Sequence, residues 1–310
     1  MLAFFSTIPF AAGIAACGGP SATSAVPGFG TLGAPSTTGD TGPRTTLVYV
    51  ADHKNNLIDV FDRRGALRYT ITNGLNAPVG LFVDAGHNLW VANPGANDVL
   101  VYSRGALSPA RILHDRNQPN DVAVSSDGTA FVADALNAGG VAVFPAGHTM
   151  PARRLEAEQS GTGGLEYYVT RDQAGNIFAT GEIGASPVSA TVGWRHARQS
   201  GYYLMPQAAW SYSGIKATRA GTLLIAAYDN SGPAVVEFTE KGKPTGRAIS
   251  TGGSQLWGDI ALDAQQSVVF GADTQQSNVV ARKFPGGTIV HTYANANIAQ
   301  PEGVAVDPGD

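Results

Sequence analysis

The chain has little charge and one cysteine. Charged residues make up 14% of its 310 positions, with 20 Lys+Arg against 24 Asp+Glu. No basic excess and no Lys/Arg run is present to neutralise phosphates, so a general nucleic-acid binder is excluded. Glu and Lys are too sparse for a long coiled coil. A single cysteine, Cys17, excludes an internal disulfide framework. Disorder over the whole chain is also excluded, because 43% of the residues are apolar and the net charge is only −4. What is abundant is glycine, with 39 residues, interleaved with short β-branched runs.

Residues 2–16 are almost wholly apolar or small. The run is too short to span a bilayer and suits the apolar region of a signal peptide. It ends in Ile14-Ala15-Ala16-Cys17, which resembles a bacterial lipobox, although no Lys or Arg precedes Cys17. The resemblance implies cleavage before Cys17 and its lipidation; an ordinary secretory signal with an incidental cysteine is the alternative. Either way the expectation is export, to the cell envelope or beyond, with the membrane touched only through a lipid anchor. Residues 18–45 are Gly, Ser, Thr, Ala and Pro with two charges, Asp40 and Arg44, and read as a flexible spacer. The string Gly28-Phe29-Gly30-Thr31-Leu32-Gly33 matches a dinucleotide fingerprint, but Pro27 stands where a strand is needed, so it is set aside.

From Thr46 one phrase recurs: a short apolar strand, a turn, then a strand ending in Ala-Asp or Ala-Asn. Pro78-Val79-Gly80-Leu81-Phe82-Val83-Asp84 with Leu89-Trp90-Val91-Ala92-Asn93 is one copy. Pro119-Asn120-Asp121-Val122-Ala123-Val124 with Ala130-Phe131-Val132-Ala133-Asp134 is another. The residue closing the first strand falls at Val83, Val124, Val169, Ala217, Leu262 and Val306, at intervals of 41 to 48. A period in the forties built of short strands signals a propeller. Ala51-Asp52 has no first strand before it, and Pro301–Asp307 is a first strand with nothing after it. The two fragments complete one blade, which predicts an all-β, six-bladed β-propeller over 46–310, closed by the C-terminal strand. The blades are expected at 301–307 with 46–73, then 77–115, 118–156, 163–207, 211–252 and 256–293. Closure removes exposed sheet edges. The stretch from Gly181 to Trp210 lacks a third-strand pattern, so blade four is expected to be irregular.

The phrase Pro-x-Gly-apolar-x-Val-Asp, then apolar-x-Val-Ala-Asp/Asn, then Asn-x-apolar-x-Val-Phe/Tyr, resembles the NHL repeat, and in particular that of exported bacterial NHL-type propeller proteins. The resemblance is good in blades one, two, three and six and poor in four and five. It implies a propeller serving as a binding platform, a lactonase or a lyase.

In such a ring the Pro-x-Gly ends and the Ala-Asp/Asn ends share one face. That places Asp121, Glu166, Asp259 and Glu302 near the channel mouth, with Asn120 adding a neutral oxygen. Hard oxygen ligands of this kind suit calcium; six-bladed relatives of the gluconolactonase class hold calcium at this place. The alternative is that each carboxylate caps a local turn or backbone N–H group. Asp52, Asn93, Asp134 and Asp273 recur once per blade and read as turn residues, as do Asp84, Asp263 and Asp307. The six histidines show no metal spacing; His53 alone falls on the channel-mouth face, as a turn residue or a general base. Trp194, Tyr202, Tyr203 and Trp210 are either ligand-facing aromatics or packing between blades. No nucleophile elbow occurs. The expected function is an exported, monomeric propeller binding a protein or small-molecule ligand, with no nucleic-acid partner. A calcium-dependent lactonase, hydrolase or lyase is the alternative.

Overall fold

The computed structural model describes residues 45–135, 140–157, 165–183, 188–198, 200–204, 211–229, 232–251 and 257–309. The expected signal peptide (1–17) with Cys17, the expected spacer (18–45) save Thr45, and Trp210 lie outside these residues, as does the side chain of Glu166.

Twenty-four strands form six blades of four, each an antiparallel meander running outward from the ring axis. Blade one holds β24 (Pro301–Asp307), β1 (Leu47–Asp52), β2 (Leu57–Asp62) and β3 (Leu67–Ile71). Blade two holds β4 (Leu81–Val83), β5 (Leu89–Asn93), β6 (Asp98–Tyr102) and β7 (Arg111–His114). Blade three holds β8 (Pro119–Val124), β9 (Ala130–Asp134), β10 (Val141–Phe144) and β11 (Arg153–Ala157). Blade four holds β12 (Leu165–Arg171), β13 (Ile177–Ile183), β14 (Val188–Trp194) and β15 (Ser200–Leu204). Blade five holds β16 (Ser211–Ala217), β17 (Thr222–Asp229), β18 (Gly232–Thr239) and β19 (Pro244–Ser250). Blade six holds β20 (Ile260–Leu262), β21 (Val268–Asp273), β22 (Asn278–Lys283) and β23 (Ile289–Tyr293).

The ring closes as the orphan ends predict. β24 pairs antiparallel with β1, with Val48 opposite Val306, Tyr49 opposite Ala305 and Val50 opposite Val304. Every residue of β1 is buried. A strand alternates its side chains between two faces, and in a propeller both faces meet a neighbouring blade. Leu47, Tyr49 and Ala51 therefore pack with Leu81 and Val91 of blade two, while Val48 and Val50 pack with Ala272 and Val279 of blade six. The same logic repeats at every interface, giving six apolar clusters between six pairs of blades.

Blade four has the regular four strands that its sequence pattern did not announce. β14 reads Val-Ser-Ala-Thr-Val-Gly-Trp, and its small and hydroxylated residues blur the alternation while its backbone pairs fully with β13. The outermost strand β15 also pairs in parallel with β11 of blade three, joining the two blades along their outer edge.

Several of the repeated acidic residues serve turns, whereas Asp134 pairs with Arg154 and Asp307 with His87 and Arg104. Asp84 accepts N–H groups from Gly86 and Asn88 at 2.9 Å and the Trp90 indole N–H at 2.8 Å. Asp263 accepts those of Ser267 and Val268. Asp52 accepts those of Lys54, Asn55 and Ala299, tying its turn to the segment that enters β24.

Glycines let the inner strands touch where they begin. Gly80 N–H donates to Asn120 O at 2.9 Å, Gly214 N–H to Gly258 O at 2.9 Å, and Asp259 N–H to Glu302 O at 3.1 Å. A Cβ on Gly303 would overlap the carbonyl of Val79. Gly303→Ala is thus expected to cost about 1–3 kcal/mol by forcing backbone apart. Urea unfolding measures it, and an unchanged midpoint would mean that the strands do not approach so closely.

Candidate functional site

The axis of the ring holds a buried charged cluster and, beyond it, a cavity. Ionisable groups in the cluster come from four inner strands or their approaches. Asp121 on β8 and Asp259 just before β20 are fully shielded from solvent. Between them stands Lys216 of β16, its Nζ 3.1 Å from Asp259 Oδ1 and 3.9 Å from Asp121 Oδ2. Asp121 Oδ2 also accepts the N–H of Val169 on β12 at 2.9 Å, and Asp259 accepts those of Ile260 and Val304. Each carboxylate thereby links its blade to the next one.

One ammonium faces two carboxylates. Burial pushes Asp121 up to about 7, against the pull of Lys216 and with the push of Asp259. Burial also raises Asp259. Burial works to lower the Lys216 ammonium, yet Asp259 and Asp121 together hold it above its usual value. The Asp121 Oδ1 atom has no hydrogen-bond partner among the described residues. Tyr168 lies in the same stack, its hydroxyl raised by burial and then by Glu302, Asp259 and Asp121.

Of the four carboxylates expected at the channel, Asp121 and Asp259 come together on Lys216. Glu302 sits nearer the face where the inner strands begin. It accepts from Gln300 Nε2 at 2.9 Å, and its raised proton affinity comes from burial, opposed by Gln300 and His53. Asn120 donates from its Nδ2 to Tyr167 O of the next inner strand at 2.7 Å. His53 is held on the same face through its N–H to Gln300 O. Calcium takes about six to eight oxygens. Here an internal ammonium occupies the space between the two central carboxylates, and no three His, Cys, Asp or Glu side chains among the described residues are grouped to hold a metal. The donor set does not fit calcium, and no step is drawn through that ion.

Lys216 was not singled out by the residue pattern, although a signal existed. The positions before the closing residue of each inner strand are Phe82, Ala123, Tyr168, Lys216, Ala261 and Ala305. One charge among six otherwise uncharged positions that line the axis is the mark of a buried ion pair.

The aromatic group of blade four is placed differently from a ligand-facing loop. Trp194 is fully buried in the cluster between blades three and four, its Nε1 donating to Glu156 O at 3.1 Å. Tyr202 and Tyr203 are half-buried, and Arg195 lies over the Tyr202 ring at 5.3 Å.

The cavity lies where the inner strands end, opposite the face to which the carboxylates pointed. It measures about 220 Å³, and its walls are Leu81, Phe82, Leu262, Val304 and Val306, with Ala217 and Lys216 at blade five. The Lys216 Nζ is shut away from solvent, so the part of this residue that the cavity meets is its methylene stem. Polar groups sit at the rim: Thr170, Arg171, Asp263 and Gln266. The cluster thus closes the channel on one side and floors the cavity on the other.

No protein-family model and no curated protein matches the chain. Solved structures do. The nidogen/laminin complex aligns with a TM-score of 0.66 at 13% identity, over 84% of this chain and 98% of that one. Hydrazine synthase of Kuenenia stuttgartiensis aligns at 0.63 and 12%, over 91% and 94%. A catalytically inactive virginiamycin B lyase from Staphylococcus aureus with quinupristin aligns at 0.58 and 14%, over 86% and 89%. At such identities the likeness is one of fold: the chain is a six-bladed β-propeller.

Proposed function

We propose that the protein is an exported, lipid-anchored propeller of the NHL kind that binds a small molecule in its axial cavity. The observation that carries this reading is the cavity itself. It is concave, it is lined by aliphatic side chains together with polar ones, and it is built on the ends of strands, a form that suits a small molecule. The apolar run 2–16 and the lipobox-like Ile14–Cys17 support export and an anchor. The repeat phrase supports the NHL kind. Propellers of this shape include a partner in a protein–protein complex and a lyase with quinupristin, so the fold alone leaves the ligand open, and the cavity supports a small one.

The test is mass spectrometry of molecules retained by the full-length protein from a cell extract, compared with Ala217→Leu. Ala217 is half-buried at the cavity wall and also packs against the cluster between blades four and five, so the variant is used once circular dichroism shows that it keeps the wild-type fold. A species retained by the wild type and lost on Ala217→Leu is the expected result. Identical profiles from the two proteins would end the reading.

A further inference from the structure

The two faces of the ring differ in charge, and the cavity opens on the one richer in cations. In each blade the first and third strands run in the same direction, so the turns that follow them lie on the cavity face. Those turns and strand ends carry Arg63, Arg64, Arg171, Arg219, Lys241 and Lys243, with further arginines beside them. The opposite face has Lys54 and Arg116 as the cations of its described turns, together with Asp52, Asp273 and Glu302, and with Asp115 and Asp134, which are buried against Arg154.

Most acidic residues of the cavity face accept N–H groups of their own turns, Asp62 and Asp127 among them, while Glu240 stands beside Lys241 and Asp263 also lines the cavity. Asp84, Asp172 and Asp263 each accept turn N–H groups, and Asp307 is paired with Arg104 and His87. Two cations at the cavity edge are not engaged in this way. Arg171 closes β12 and lines the cavity. Arg219 is exposed in the adjoining turn of blade five, and its N–H donates at 2.8 Å to Oε1 of Gln266, itself a cavity residue. Neither guanidinium forms an ion pair among the described residues. Asp127 lies close enough to Arg171 to be lowered slightly by it, after Ser125 and Thr129.

We propose that the axial cavity binds an amphipathic anion, with its apolar body against Leu81, Phe82, Leu262, Val304 and Val306 and its head group at the Arg171–Arg219 edge. The inference rests on the cavity reading above and adds the class of ligand. Apolar contact supplies affinity. The basic face raises the local concentration of anions and speeds their arrival, an effect that salt weakens. The Lys216 ammonium takes no part, because it is spent on Asp259 and Asp121 beneath the floor.

Isothermal titration of the full chain with octanoate, octan-1-ol, octylammonium and acetate tests this. Octanoate is expected to bind one per chain, roughly tenfold tighter than octylammonium at low salt, and acetate not to bind at matching concentrations. Arg171→Gln with Arg219→Gln, both surface changes, should weaken octanoate roughly fivefold and leave octan-1-ol unchanged. Ala217→Leu should weaken both. Sedimentation with phosphatidylglycerol vesicles, against phosphatidylcholine, distinguishes sources. Anionic vesicles held by the wild type and released by Ala217→Leu mark a membrane lipid as the ligand. Vesicles left unbound while octanoate binds mark a free acid. The inference is overturned if octylammonium or acetate binds as tightly as octanoate, or if the double Gln variant binds octanoate unchanged. If none of the probes binds, the cavity reading falls with it.

Discussion

Lys216→Met is expected to destabilise the propeller by about 3–5 kcal/mol at pH 8 and by much less at pH 5. Methionine keeps the length and volume of the stem, so packing at the cavity floor is nearly preserved. What is lost is the ammonium, and Asp121 and Asp259 are left buried with no cation among the described residues within reach. An uncompensated charge in the interior holds its proton more tightly, so both carboxyl groups move further up than burial already moves them. The sign of the pH dependence follows. A carboxyl group whose folded value lies above its unfolded value binds more protons when folded, so stability falls as pH rises between the two values. In the wild type that window for Asp121 runs from the ordinary carboxylate range to about 7. In the variant it extends higher for both groups, so the gap between the proteins widens toward alkaline pH. Adding Asp259→Asn to Lys216→Met removes one of the two charges and should restore much of the loss. Urea unfolding at the two pH values measures all of this. An equal loss at pH 5 and pH 8 would mean that Lys216 contributes through packing and not through its charge.

The propeller was legible because its evidence is local and repeated. Each inner strand is short and closes on a β-branched or aliphatic residue, and each is followed by an acid or a hydroxyl residue, Asp84, Ser125, Thr170, Thr218, Asp263 or Asp307. The unpaired pieces at the two ends, Val48–Asp52 and Pro301–Asp307, fit each other and no other part of the repeat. Blade four was less legible because Ser189, Ala190, Thr191 and Gly193 carry little hydrophobic signal; pairing with β13 holds that strand in place. The parallel contact of β11 with β15 had no sequence signal, since it joins segments about 45 residues apart through backbone bonds at an outer edge. The site was half legible. Asp121 and Asp259 were singled out from their place in the repeat as oxygen ligands for calcium, and the structure puts an internal cation beside them. The cation is Lys216, which lies two residues further along an inner strand and reaches back to them. The end of the channel that carries the carboxylates is the end where Gly80, Gly214, Gly258 and Gly303 let backbones close on one another, so the space lies at the other end.

The largest loss of all is expected from ending the chain at Gln300. Removing residues 301–310 deletes β24, whose residues Pro301, Gly303, Val304, Ala305 and Asp307 are buried. It strips β1 of its inner partner along six residues. Two clusters lose members at once, Ala305 between blades one and two and Val304 between blades six and one. Burying a valine side chain contributes about 1.5–3 kcal/mol, and the removed strand also leaves the backbone of Val48 and Val50 without partners in an apolar setting. Together these losses approach the whole stability of a typical domain, about 5–15 kcal/mol. The truncated chain should therefore show no cooperative melting and should associate through the exposed edge of β1. Circular dichroism melting with size-exclusion chromatography reads both effects. A more discriminating version relocates the strand: residues 301–310 are fused ahead of Thr46 through a short glycine-serine linker, in a chain that ends at Gln300. Thr46 Oγ1 donates to Pro308 O at 3.0 Å in the closed ring, so only a short linker is needed to join these ends. Because the blade needs the strand and not the position of the chain end, this permuted protein should recover the melting transition and stay monomeric. A truncated chain that melts like the full protein, or a permuted one that stays unfolded, would show that the seal between the two ends of the chain is not what holds the ring.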